Sequence, residues 1–174
     1  MLPIVAPDQE DVPRPDEPWK YPYVAAVLDF GSNIRIMIRK DDSYAVGYQI
    51  APTIGISSSD PTAMGFLDDF CRTNGVQFSI HDRERERGTT YRLDINRRES
   101  IDRFLRLVYP YLVVRYEVAT IMLEDLLPGL EENLHGSEEG FIELMEHVDT
   151  IRDDTRSRSD AKYSADWFRE EWGV

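Results

Sequence analysis

A carboxylate, two adjacent alanines and a row of arginines meet in one short stretch, Tyr23 to Ile38, read as YVAAVLDFGSNIRIMI. Its first half is an apolar helix carrying Ala25 and Ala26 and ending at Asp29-Phe30-Gly31-Ser32. Small residues let a helix backbone press against a twin, and a carboxylate at a helix end can either hold a divalent cation or serve the turn that Gly31 closes. The period then changes to two, with Ile34, Ile36 and Ile38 on one side and Asn33, Arg35, Met37 and Arg39 on the other. Such a strand can bury one face and lay the other on a polyanion, its guanidinium groups anchoring phosphates and reaching guanine edges in the major groove.

The alternation recurs along the chain. Val76, Phe78 and Ile80 alternate with Gln77, Ser79 and His81, and Tyr91, Leu93 and Ile95 alternate with Thr90, Arg92 and Asp94. Arg35, Arg39, Gln49, Gln77, Ser79, His81 and Arg92 fit a nucleic-acid face, and they equally fit the solvated face of an ordinary amphipathic sheet. No Ser, Cys or acid partner is implied for His81. No phosphate-binding loop, dinucleotide fingerprint or His/Cys metal spacing is present. The single cysteine, Cys71, excludes an internal disulfide and reads as core packing beside Phe66, Leu67 and Phe70.

The elements that must position these residues follow from punctuation. Five of the ten prolines fall within residues 1–18 among Asp and Glu, which predicts an extended arm before a single domain over 19–174. After the first helix, Asn33–Lys40 and Tyr44–Ser57 form a hairpin joined by Asp41-Asp42-Ser43, with Pro52 implying an edge position or a bulge. Asp60-Pro61 opens a helix that Asn74-Gly75 stops. The second hairpin has a charged tip over Asp82–Gly88; helices then run over Arg97–Tyr109 and Tyr116–Leu127, broken by Pro110 and Pro128. Ser137 caps a long helix, and Ser164–Trp172 is the last. The expected class is α+β, a four-stranded antiparallel sheet covered on one face, in the order αββαββα with extra C-terminal helices.

The 174 residues carry a net charge of −13, unevenly distributed. Residues 1–32 carry −4, residues 33–98 carry +1 and residues 99–174 carry −10, so the strand-rich segment alone lacks an acidic excess. Only three of the 20 basic residues are lysine. An acidic, lysine-poor surface suits a protein living in molar salt, and a halophilic, archaeal setting is the expectation. There the Debye length is about 3 Å, so the global charge hardly repels DNA. No apolar run approaches the roughly 20 residues that cross a bilayer, and no signal peptide is visible, so a soluble, cytoplasmic protein with no membrane partner is expected.

The opening motif and the order of elements resemble the LAGLIDADG homing endonucleases, in the class with one motif per chain that works as a homodimer. Val24-Ala25-Ala26-Val27-Leu28-Asp29 stands where that motif has its LAGLID. Ser43-Tyr44 and Gln49 fall at family-like places in the first hairpin. Phe66-Leu67-Asp68 looks like the FLD of the second helix, and Pro110-Tyr111-Leu112-Val113-Val114-Arg115 like the PYLxxK segment after the third. The resemblance implies a dimer seam at Val24, Ala25, Ala26 and Leu28, and double-stranded DNA as partner. It implies a DNA-facing set of Arg35, Met37, Arg39, Ser43, Tyr44, Gln49, Gln77, Ser79, His81, Arg92 and Asp94. It also carries over a catalytic group of Asp29, Arg115 and Ser58, with Asp29 as the metal ligand and Mg²⁺ as cofactor if the protein cuts DNA. The family's catalytic acid lies two residues after Asp29, where this chain has Gly31. A glycine offers a metal only its carbonyl. The reading that follows is sequence-specific DNA binding by a homodimer whose nuclease centre is impaired or lost, serving regulation. An active Mg²⁺-dependent endonuclease and a protein-interaction scaffold without DNA are the alternatives.

Overall fold

The computed structural model describes residues 17–85, 88–155 and 162–174, so all but the last two residues of the expected arm lie outside it. Helix α1 (Lys20–Gly31) passes directly into strand β1 (Ser32–Lys40). At the junction the Ser32 hydroxyl donates to the Leu28 carbonyl, satisfying one of the acceptors that a helix end leaves open. Strand β1 pairs antiparallel with β2 (Tyr48–Ser58) along its whole length, Ile36 opposite Pro52.

The turn between them is longer than the sequence suggests. Asp41 Oδ1 accepts from the Ser43 N–H at 3.0 Å and its hydroxyl at 2.6 Å, and Gly47 adopts φ +75° to bring the chain back. Tyr44 and Val46 therefore belong to the loop, not to the strand expected from Tyr44 onward. Those two Ser43 hydrogen bonds also hold the Asp41 carboxyl below its ordinary pKa.

Helix α2 (Pro61–Thr73) starts as read: the Asp60 carboxylate accepts from the Thr62 N–H at 2.7 Å and Pro61 fills the first turn. Strands β3 (Ser79–Arg85) and β4 (Gly88–Ile95) form the second hairpin. Asp82 to Arg85, expected in its tip, are paired with β4 instead. The sheet order β1-β2-β4-β3 explains this, because β3 is an edge strand and an edge tolerates charge on both faces. Pro52 also finds the position it needs. Strand β4 meets β2 only from Ile54 to Ser58, so Pro52 has a ladder on its β1 side alone and no second strand asks it for the N–H it lacks.

One face of the sheet is the core. Ile34, Ile36, Ile50, Ile54, Ile56, Leu93 and Ile95 are all buried against Val24, Ala25 and Leu28 of α1, Leu67 and Phe70 of α2, and Ile101, Phe104 and Leu105 of α3 (Arg98–Val108). Cys71 is fully enclosed there, and burial pushes its thiol up to about 12, as core packing requires.

Past α3 a tight turn over Tyr109–Tyr111 leads to α4 (Tyr116–Ile121), which does not stop at Pro128. A wide turn over Met122–Leu126 follows, and α5 (Leu127–Glu131) continues through the proline. In a regular helix the Pro128 ring would strike the carbonyl four residues back. Here the Leu127 N–H reaches the Met122 carbonyl five residues back, and this widened turn makes room for the ring. Helices α6 (Glu138–Thr155) and α7 (Ala165–Trp172) close the domain, each begun by a serine side chain, Ser137 and Ser164. Phe168 of α7 packs against Tyr48 and Phe141 edge to face and against Trp172 at a tilt, with ring centroids 4.7–5.0 Å apart, fastening α7 to the start of β2. Among the described residues no helix is long and apolar enough to cross a membrane.

Candidate nucleic-acid interface

The pleat sends every second residue of the four strands to the face that no helix covers. Across it run two rows set by the register. One is Asn33, Gly55, Asp94 and Ser79; the next is Ser57, Arg92 and His81. Beyond them Arg35 lies opposite Thr53, Met37 opposite Ala51 and Arg39 opposite Gln49. Arg35, Arg39 and His81 are exposed, whereas Met37, Gln49, Ser79, Arg92 and Asp94 are half-buried. The structure thus brings onto one face eight of the residues read as DNA-facing. Gln77, just before β3, is exposed, and its N–H donates to the Ser100 hydroxyl at 3.0 Å.

The remaining two, Ser43 and Tyr44, sit in the β1–β2 loop, and the structure shows what anchors it. Gln49 Nε2 donates to the Tyr44 hydroxyl at 2.7 Å, tying the loop to β2. The Tyr44 ring lies 6.2 Å from His135, a buried imidazole that the sequence reading passed over. Burial, and then the charge of Arg98, hold His135 below its ordinary pKa near 6.5. It therefore packs as a neutral ring.

At the end of α1, Asp29 is 6% exposed and both of its carboxylate oxygens are engaged. Oδ2 accepts the Val113 N–H at 2.9 Å and Oδ1 the Arg115 N–H at 2.8 Å. The carboxylate clasps the segment after α3 to the helix end. Gly31 next to it is exposed and brings no side-chain ligand. Among the described residues no group of three or more His, Cys, Asp and Glu side chains gathers where it could hold a metal ion. In a single chain the Asp29 carboxylate is already committed to the backbone, so this helix end by itself offers no open Mg²⁺ site.

The same arrangement of elements exists in solved proteins. The homing endonuclease I-CvuI, solved in complex with its target in the presence of Ca²⁺, superposes with a TM-score of 0.72 over 88% of this chain and 92% of its own, at 20% identity. The archaeal intron-encoded homing endonuclease I-Vdi141I, solved in complex with DNA, gives 0.73 over 90% and 98%, at 13% identity. The LAGLIDADG homing endonuclease I-SmaMI bound to cleaved DNA gives 0.63, with 90% of this chain matching 47% of that one, at 14% identity. The fold is that of the LAGLIDADG homing endonucleases. No protein-family model matches the sequence, and no curated protein does.

Within the LAGLIDADG fold three of the four expected seam residues lie inside the protomer. Of the seam residues named from the motif, Val24, Ala25 and Leu28 are each 0% exposed and belong to the protomer's own core. The reason is phase: they lie on the side of α1 that covers the sheet. Only Ala26 is on the free side, with Trp19, Tyr23 and Phe30 at spacings of four, three and four. Phe30 is 82% exposed, and Val113 beside the Asp29 clasp is 81% exposed. Trp19 and Tyr23 gather on Phe66 of α2, with ring centroids at 5.6 and 5.1 Å.

The other two residues carried over as catalytic are turned to local tasks. Ser58 Oγ accepts the Asp60 N–H at 3.0 Å, shaping the turn into α2. Arg115 leans toward α6, its Nη1 3.9 Å from Asp154 Oδ2, while its Nε is buried without a partner.

Proposed function

We propose that the protein binds a specific double-stranded DNA site as a symmetric pair of chains and does not cut it. The observation that carries this reading is the open sheet face, on which arginine, glutamine, histidine and serine side chains are held in register by a rigid core. A β-ribbon of this kind enters the major groove, where arginine and glutamine distinguish bases. I-CvuI and I-Vdi141I, of nearly this length, were solved with DNA, and I-SmaMI is twice as long, which supports two copies of this chain on one site. A two-fold pair reads a palindromic sequence. The apolar strip of Trp19, Tyr23, Ala26 and Phe30 supplies the surface for pairing. Loss of cleavage is supported by Gly31, which brings no side-chain ligand, and by the engagement of both Asp29 oxygens with backbone N–H groups, since fixing a metal and generating the attacking hydroxide call for an available carboxylate.

Selection from a random duplex pool in molar KCl with Mg²⁺, sequencing bound and cut molecules separately, tests both halves of the proposal. A palindrome recovered intact is the expected result. The same motif recovered as cleaved ends would overturn the non-cutting half, and no enriched motif would overturn DNA recognition. Arg35→Ala, at an exposed position midway along β1, is expected to weaken binding and relax base choice at one position per half-site by about 1–3 kcal/mol. Competition binding with single-base variants of the selected site measures it.

A further inference from the structure

Arg92 is held unlike the other arginines of the open face. Its Nε donates to both oxygens of Asp94, at 2.9 and 3.0 Å. The guanidinium then lies diagonally across β2 on the backbone of Gly55, so close that a Cβ at residue 55 would stand 2.2 Å from Nη2 and 2.8 Å from Cζ. Nη2 is buried there without a hydrogen-bond partner. Arg35, by contrast, is exposed and makes no hydrogen bond among the described residues. Glycine in the middle of a strand weakens the sheet unless something must approach its backbone closely. Here that something is a cation held by its own carboxylate.

We propose, resting on the DNA-binding reading above, that Gly55, Arg92 and Asp94 form one preset reader of a C·G base pair in each half-site. With Nε committed to Asp94 and Nη2 pressed onto Gly55, Nη1 is the open donor of the guanidinium. The remaining lone pairs of Asp94 are open acceptors beside it. A C·G pair offers the complement in the major groove: the cytosine N4 amino group donates, and guanine O6 and N7 accept. The carboxylate makes the choice strict, because thymine O4 or guanine O6 set against it would bring two acceptors together. Holding both groups together before binding reduces the ordering cost of the contact. Gly55 is thus a specificity-determining residue although it has no side chain.

The test is the base preference of the full-length protein, read by sequencing selected DNA at one fixed salt concentration, for wild type and for Gly55→Ala, Asp94→Asn and Arg92→Lys. Gly55→Ala is the telling variant, since it keeps both charged groups and only lifts the guanidinium out of its slot. The expected result is one C·G position per half-site in the wild type, with discrimination there reduced about tenfold or more in each variant while the ranking at other positions stands. An unchanged C·G preference in Gly55→Ala overturns the proposal. If that variant does not fold, Asp94→Asn and Arg92→Lys decide by the same criterion. Wild-type protein that selects no motif overturns the DNA-binding reading itself, whereas a motif indifferent to all three substitutions overturns this inference alone.

Discussion

Asp29→Ala is expected to lower the free energy of unfolding by about 3 kcal/mol or more, from the loss of two hydrogen bonds to a charged acceptor at roughly 1.5–3 kcal/mol each. The carboxylate is almost fully enclosed, and it joins the end of α1 to Val113 and Arg115, 84 and 86 residues further on. Asn at this position keeps one oxygen and should lose about half as much. Urea denaturation followed by circular dichroism measures both variants. The same experiment separates the structural role from a metal-binding one. If Asp29 held Mg²⁺, the ion would raise the wild-type midpoint and leave the alanine variant unmoved. The expected result is no Mg²⁺ effect on either protein. An alanine variant within about 0.5 kcal/mol of wild type would remove the clasp from the account of stability.

The second large effect is on self-association. Ala26→Arg places a charge at the middle of the free side of α1, so that a two-fold pair would set two like charges against each other. Like-charge juxtaposition across an interface costs several kcal/mol, which corresponds to dimer dissociation strengthened by a factor of about 100 or more. The protomer itself should be little disturbed, because Ala26 is exposed and arginine is a good helix former. Sedimentation equilibrium is the measurement, with DNA binding reduced to weak half-site contact. Wild type and variant sharing one dissociation constant would move the pairing surface elsewhere.

Much of the fold was legible because local signals agreed with the global arrangement. Asp60-Pro61 opened α2 and Gly75, at φ +66°, followed its end; Pro52 found the stretch of β2 without a second neighbour; the isoleucine rows marked the buried face. What sequence reading missed has physical causes. The charged run after His81 looked like a hairpin tip because alternating charge has no apolar face, yet an edge strand needs none. Pro128 looked like a stop, and nothing local announces the widened turn that admits it. Val24, Ala25 and Leu28 were read as surface residues because the motif was taken as a block. Counting from Trp19 in steps of three and four would have separated Ala26 and Phe30 from Val24, Ala25 and Leu28. The polar face was legible by parity, but not the pairing of Arg92 with Asp94 over Gly55. The signal available was a glycine inside a strand, which asks what comes close to it.

The Asp29 clasp also sets an order of events during synthesis. Its partners are made long after the helix it fastens, and a ribosome adding about 5–20 residues per second needs roughly 4–17 s to cover that distance. During that interval α1 and the first hairpin exist without the segment that pins the helix end, and Trp19, Tyr23 and Phe30 have neither lock nor mate. The nascent chain therefore passes through a stage with an aromatic face exposed and its fastening not yet made. In this fold the residue that looks like a remnant of chemistry is the latch that fixes the helix end, and Phe30, 82% exposed with that latch closed, is left for another surface to cover.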